Sequence, residues 1–272
     1  LSSQSVDGFF RNHLGKHPTN LYMVFDQMNP NVTPPDSIWS TATNTEAVLN
    51  YFGPNGANYI PASIGALDDW KTMMDKQLLS DAISNETFLT LYRDHSANES
   101  WGSPYFHKGD VRLLRNQHPT FIFSIGCLTN NFWDAWTVCL MEEFIKAEVG
   151  AIGGIGSTSV TYSHFNDLLA WGMFDYIWPD FMPTLGSQNA PEIVYPSFSL
   201  VAGKMFLGQQ SFLPHGAWPS QTEKTLNLFN YQGETYINLF TEMPQLMAVE
   251  ASAFQREDQP EYTIKADEGA LI

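Results

Sequence analysis

Two short apolar runs, Phe88 to Tyr92 and Phe121 to Ile125, each deliver the chain into a residue able to do chemistry. The first continues as "YRDHSANESW", with His95 three residues beyond Tyr92. The second lies within "TFIFSIGCLTNNFWD", with Cys127 two residues beyond Ile125. Short apolar runs bounded by polar segments read as strands covered on both faces, and function in parallel sheets gathers at the carboxyl ends of such strands. If the two strands are parallel neighbours, joined by a crossover between Ser100 and His118, thiol and imidazole emerge on one rim. That pair suits covalent acyl transfer: a cysteine becomes a thiolate with a modest fall in pKa, and imidazole moves protons in the same pH range. Each residue alone also fits a plainer role, the cysteine as a small buried apolar group and the histidine as a surface or capping residue. Cys139, the other cysteine, falls on a helical segment without a histidine-bearing strand beside it.

The surrounding pattern supplies the elements to position the pair. "LYMVFD" (Leu21 to Asp26) reads as a buried strand closed by a Pro/Asn-rich loop. Helical spacing is expected over Thr45 to Phe52 and Leu67 to Ile83, the latter with Trp70, Met73, Met74, Leu78 and Leu79 on its apolar face. Trp136, Leu140, Phe144 and Ile145 mark a helix after the cysteine loop. "GAIGGIGSTS" (Gly150 to Ser159) reads as a Gly-rich strand and turn, without the lysine of a phosphate loop. Helices follow over Phe165 to Trp178 and Ser197 to Phe212. Such alternation of strands and helices favours an α/β sandwich with a mainly parallel sheet.

Composition narrows the function further. A chain of 272 residues with 43% apolar and 14% aromatic residues builds a sizeable core and is not disordered. Its net charge of −16 and its lack of a Lys/Arg cluster argue against nucleic acid as a partner. Two cysteines cannot build a disulfide framework. Nothing is long and apolar enough for a membrane span. The start, "LSSQSVDGFF", lacks a signal peptide's basic and apolar regions, so an exported protein would be present here as a mature or trimmed chain. Asn31, Asn85 and Asn98 stand in Asn-x-Ser/Thr sequons.

The words around His95 and Cys127 resemble the catalytic core of the gingipain-type cysteine proteases, peptidase family C25, in the clan that includes caspases. Tyr92, His95 and Trp101 match that family's Tyr-x-x-His-Gly-Ser-x-x-x-Trp segment. Cys127, Thr129 and Phe132 match the segment of its nucleophile, and Cys139 falls where relatives can carry a second cysteine. "AIGGIGSTSVTYSHFNDLLAWGMFDYIWPD" resembles the next strand and the specificity-pocket segment, and "ETYINLFTEMPQLM" (Glu234 to Met247) the closing stretch. The resemblance runs from about Leu21 to Met247. Three departures stand out. Ser96 replaces the glycine after the histidine, and Thr241-Glu242-Met243-Pro244 replaces a Gly-Asp-Pro turn. The acid that orients the histidine has only Asp36, Asp68 and Asp69 as candidates.

The resemblance implies a caspase-like three-layer α/β/α sandwich spanning residues 21–254, after a lead-in (1–20) and before a polar tail (255–272). It implies a cysteine endopeptidase in which Cys127 attacks, His95 acts as acid and base, and the N–H groups of Ser96 and Cys127 hold the oxyanion. Ser163, Asn166, Asp167 and Trp101 are the expected substrate-binding residues. Asp167 would receive a Lys or Arg side chain of the substrate, or Asn166 would leave the pocket neutral. Protein or peptide substrates, a secreted or cell-surface bacterial setting, no cofactor in the chemistry and a structural calcium ion are the remaining expectations. Two alternatives stay open. One is a non-catalytic binding domain with Trp101, Trp133, Trp171 and Trp178 lining a peptide or glycan groove; the other is a sortase-like transpeptidase that passes its acyl group to an amine.

Overall fold

The structure, a computed structural model, describes residues 21–25, 57–61, 69–85, 87–102, 105–179, 181, 193–209, 219–239, 250–251 and 264–265. Six strands make the central sheet: β1 (Leu21–Phe25), β2 (Ala57–Pro61), β3 (Leu89–Arg93), β7 (Thr120–Ser124), β8 (Ala151–Ser157) and β9 (Phe229–Gly233). Their order is β2-β1-β3-β7-β8-β9. All pairs are parallel except the last, in which β9 runs antiparallel to β8. Between β3 and β7 the chain forms a three-stranded meander, β4 (Ser96–Ala97), β5 (Ser100–Trp101) and β6 (Phe106–His107), followed by α2 (Lys108–Val111). The remaining helices are α1 (Asp69–Ser84), α3 (Leu140–Lys146), α4 (Ser163–Ile177), α5 (Pro196–Gln209) and α6 (Pro219–Leu228). Two short strands, β10 (Glu250–Ala251) and β11 (Ile264–Lys265), pair with each other, so part of the expected tail folds back on residues before it.

Side-chain alternation along the strands sorts the core into two layers. Leu89 and Leu91 of β3, with Phe121 and Phe123 of β7, point to one face, where Leu169, Met173, Phe174 and Leu200 from α4 and α5 cover them. Tyr92 and Ile122 point to the other, against Leu79 and Ile83 of α1, Leu140 and Phe144 of α3, and the meander residues Trp101 and Phe106. The result is the three-layer α/β/α sandwich expected from the sequence, with β3, β7 and β8 fully buried as continuous apolar runs require.

Some local expectations change. Trp136 does not belong to the helix after the cysteine loop: α3 starts at Leu140, with Cys139 as its N-cap, and Trp136 is 93% exposed on the preceding loop. The Glu142 carboxylate accepts the Cys139 N–H and so sets the helix start at that point. Leu78, expected on the apolar face of α1, is half exposed, while Leu79 is buried. The side chains of Trp70, Met73 and Met74, and the helix expected over residues 45–52, lie outside the described residues.

At the carboxyl end of the sheet, β3 and β7 come together through a glycine. A Cβ on Gly126 would lie 2.6 Å from the Asp94 carbonyl oxygen and 2.3 Å from the Ser96 hydroxyl oxygen. Only hydrogen fits, and the backbone after β3 therefore rests directly on the backbone after β7. Gly126→Ala should cost about 1–3 kcal/mol of stability through overpacking. Urea unfolding would measure it, and a variant as stable as the parent would show that the two segments can separate without cost.

Candidate active site

His95 leaves β3 and Cys127 leaves β7 at the same height. Paired residues of the two strands, Leu89 with Phe121 through Tyr92 with Ser124, are offset by 32 positions. The Ile125 N–H continues the ladder to the Tyr92 carbonyl at 2.8 Å. His95 and Cys127 are themselves 32 residues apart. The register that pairs the strands therefore brings the chain to His95 and to Cys127 at equivalent steps beyond two neighbouring strands. The Ser96 hydroxyl, donating to the Cys127 carbonyl at 2.7 Å, ties the two loops together.

Each loop is held from below. After β3, the Tyr92 hydroxyl donates to the His95 carbonyl and accepts the Gly102 N–H at 2.9 Å, while the Gly102 N–H also reaches the His95 carbonyl. That cross-strand bond makes Ser96 and Trp101 a non-hydrogen-bonded antiparallel pair, so the Ser96 N–H turns away from β5. After β7, Leu128 adopts a φ of 63°, a left-handed conformation that costs a branched side chain strain and makes a sharp turn at Cys127. The turn is pinned by Leu128 N–H to the Ser159 carbonyl at 3.1 Å and Asn130 N–H to the Ser157 carbonyl at 2.9 Å. Beyond it, the Asn98 carboxamide at the meander's tip donates to Thr137 (2.7 Å) and Asp134 (3.3 Å) of the cysteine loop.

The sulfur of Cys127 faces Thr161, in the segment between β8 and α4. The Thr161 N–H is 3.4 Å from Sγ, its hydroxyl 3.6 Å and its carbonyl oxygen 3.8 Å. Asn166, one turn into α4, donates its carboxamide N–H to the Thr161 hydroxyl at 2.7 Å. Cys127 is half-buried, whereas His95 is exposed and its imidazole hydrogen bonds no side chain among the described residues. Asp36 and Asp68 lie outside the described residues, and of Asp69 only the backbone, at the start of α1, is described. Cys139 is fully buried, and desolvation pushes its thiol up to about 12. It is a packing residue. His107 is occupied as the N-cap of α2, its Nδ1 accepting the Gly109 N–H.

Two expected substrate-binding residues are placed elsewhere. Trp101 has no exposed surface: its ring stacks on Tyr92 at 4.7 Å, and its indole N–H donates to the Ser124 hydroxyl at 2.8 Å. Thr129 donates to the same hydroxyl at 2.9 Å, so Trp101 braces the underside of the cysteine loop. Asp167 does not open to a pocket either. It is 1% exposed and accepts a hydrogen bond from Arg93 at 2.7 Å, joining the end of β3 to α4. One oxygen of the carboxylate is thus engaged by Arg93. Asn166 lies next to the site as expected, but its amide is directed at Thr161. Ser163 opens α4, and its side chain lies outside the described residues. The groove of four tryptophans does not form: Trp101 and Trp178 are buried, Trp171 is half-buried, and of the four Trp133 alone is exposed, at 69%. No spacing or composition signal in the sequence marked Thr161 or the Arg93–Asp167 pair.

A model of peptidase family C25 matches residues 20–195, well over half of the chain. The chain belongs to that family. Residue 195 lies beyond both loops and the whole of α4, so the C25 match contains every group just described. Among solved structures, the crystal structure of the Arg-specific cysteine proteinase gingipain R aligns with a TM-score of 0.68 over 97% of this chain and 58% of its own, at 16% identity. A complex of the Porphyromonas gingivalis RgpB pro- and mature domains aligns at 0.66, over 94% of this chain and 58% of that one, also at 16% identity. Such identities establish a shared fold. A search of curated proteins returns no match. The C25 chain described here thus spans under three-fifths of the gingipain chains it matches. Among its described residues, no group of three His, Cys, Asp or Glu gathers to hold a metal ion. No helix among them is long and apolar enough to cross a membrane.

The Arg93–Asp167 pair has a testable electrostatic consequence. Burial pushes the Asp167 carboxyl up from its ordinary 3.8 to about 6, outweighing the pull of Arg93. Between those values the folded state holds the proton more tightly than the unfolded chain. The stability this group contributes is present at low pH and lost as pH rises through about 6. On going from pH 4 to pH 7, unfolding free energies should therefore move in favour of Asp167→Asn over the parent by up to about 3 kcal/mol. A gap that does not change with pH would mean that Arg93 keeps the carboxylate ionised throughout.

Proposed function

We propose that this chain carries the catalytic centre of a cysteine endopeptidase, with Cys127 as nucleophile and His95 as general acid and base. The observation that carries the reading is the common offset of 32 between the β3–β7 register and the His95–Cys127 separation. That offset supports a reading in which thiol and imidazole stand on one rim of the sheet. Membership of family C25 supports the same assignment.

In the proposed reaction the Cys127 thiol gives its proton to His95 as its sulfur attacks the scissile carbonyl carbon, and the carbonyl electron pair moves to oxygen. The N–H groups of Ser96, turned away from β5, and of Cys127 receive that oxyanion, each such donor being worth roughly 10²- to 10³-fold in rate. Collapse of the intermediate expels the amine, which takes a proton from His95. Water then cleaves the thioester, giving its proton to His95, and the carboxylic acid product leaves with the thiol restored. No cofactor takes part in these steps. Exposure of His95 leaves its ring free to approach a bound peptide, and substrate binding would supply the dry surroundings in which the proton transfers are efficient.

Cleavage after Lys or Arg loses its candidate acid once Asp167 is committed to Arg93. The uncharged Asn166 beside Thr161 favours the neutral-pocket alternative, and the net charge of −16 attracts cationic peptides only at long range. We place the protein at the cell surface or outside it, as the family resemblance implies.

Cys127→Ala should abolish peptide hydrolysis with the fold intact, and Cys139→Ala should leave turnover unchanged. His95→Ala should slow the chemical step by about 10² to 10⁴, whereas His107→Ala should not. Turnover by Cys127→Ala at the parental rate would end the nucleophile assignment. In a peptide library, cleavage should not be confined to bonds after Lys and Arg; a strict basic preference would point to an acid other than Asp167.

A further inference from the structure

The polar atoms around the Cys127 sulfur have an order that goes beyond proximity. Thr161 presents three atoms to Sγ, and their roles follow from donor and acceptor chemistry. Its N–H, at 3.4 Å, can only donate. Its carbonyl, at 3.8 Å, can only accept, and so takes the thiol proton in the neutral state. The hydroxyl, at 3.6 Å, could do either. Asn166 biases that choice. Its carboxamide N–H donates to the Thr161 hydroxyl oxygen at 2.7 Å, occupying one of its two acceptor sites and favouring the arrangement in which the hydroxyl donates to the sulfur.

Asn166 is an expensive residue to place there for packing alone. It is 3% exposed, and its carboxamide oxygen is buried without a hydrogen-bond partner among the described residues. A buried unsatisfied acceptor costs about 1–3 kcal/mol relative to a satisfied one, and an apolar side chain of similar size would avoid that cost. The position also suits a supporting role. Asn166 is fixed by helix α4, its own N–H bonding to the Tyr162 carbonyl at 3.0 Å, and α4 is in turn anchored to β3 by Asp167 and Arg93.

We infer that Thr161 is a further catalytic residue that receives the Cys127 sulfur as a thiolate, donating from both its N–H and its hydroxyl, and that Asn166 is the positioning residue that aims the hydroxyl. The inference rests on the reading of Cys127 as the nucleophile. In the neutral state the Cys127 S–H donates to the Thr161 carbonyl. When that proton leaves for His95 or solvent, two donors from the same residue are already in place for the charge, and hydrogen bonds to the charged form favour it. Attack on a carbonyl then discharges the sulfur, and both donors release it.

The test uses the rate constant for alkylation of Cys127 by iodoacetamide at pH 7, read by mass spectrometry on the full chain, beside kcat and KM on a peptide substrate. Cys139 does not interfere, because it is buried and its thiol is pushed up to about 12. Thr161→Val keeps the shape and the N–H but removes the hydroxyl. It should slow alkylation roughly tenfold, the size expected for one hydrogen bond to a charged group, and lower kcat with KM unchanged. Thr161→Ser should return both to within about twofold of the parent. Asn166→Asp should act like Thr161→Val by a separate route, because a carboxylate would draw the hydroxyl proton away from the sulfur. Thr161→Val alkylated at the parental rate, or Thr161→Ser as slow as Thr161→Val, would overturn the inference and leave only methyl packing at this position. If the parent hydrolyses no peptide but the alkylation series holds, the thiolate site stands and the peptidase reading falls.

Discussion

Parallel pairing of β3 with β7, closed by the contact of Asp94 and Ser96 on Gly126, is the constraint on which the site depends. Both strands are buried on both faces, so a slide would mismatch side chains packed against two different helical layers. That locks the offset at 32 and with it the level of His95 against Cys127. The glycine then brings the two exits into backbone contact, and the Ser96 hydroxyl closes the gap onto the Cys127 carbonyl. A rigid sheet thus fixes the relative position of two residues that both sit on loops, where precise placement is otherwise hard to maintain.

The layers on each side of the sheet have different tasks at this rim. On the face of α1 and α3, the stacked pair of Tyr92 and Trp101, worth about 0.5–1.5 kcal/mol beyond its area, supports both exits at once. The Tyr92 hydroxyl holds the His95 backbone, and the Trp101 indole reaches Ser124 beneath the cysteine. On the opposite face, α4 delivers Asn166 to Thr161 and Asp167 to Arg93, two adjacent residues reaching a loop and a strand end. The thiol and the His95 backbone are therefore held from separate sides of one sheet. A buried ion pair is weak evidence for stability, but breaking one by removing a partner is costly. This pair is well suited to fix the distance between α4 and the end of β3.

The sequence determined a good deal. Continuous apolar runs announced the buried strands, and the residues that follow them announced a cysteine and a histidine on strand ends. The words around those residues marked the family, since they carry local backbone requirements as well as chemistry. What the tertiary structure alone decided concerns partners far apart in the chain. Arg93 and Asp167 are 74 residues apart, and nothing in either neighbourhood says that the two would pair. Trp101 stands in a polar segment, yet folding of the β4–β6 meander onto α3 buries it completely. Thr161 gains its place at the sulfur because β8 pairs beside β7 and its exit crosses the turn after Cys127. Local pattern fixes which residues face the core and which can react; strand order and register, set by burial across the whole sheet, fix which of them meet.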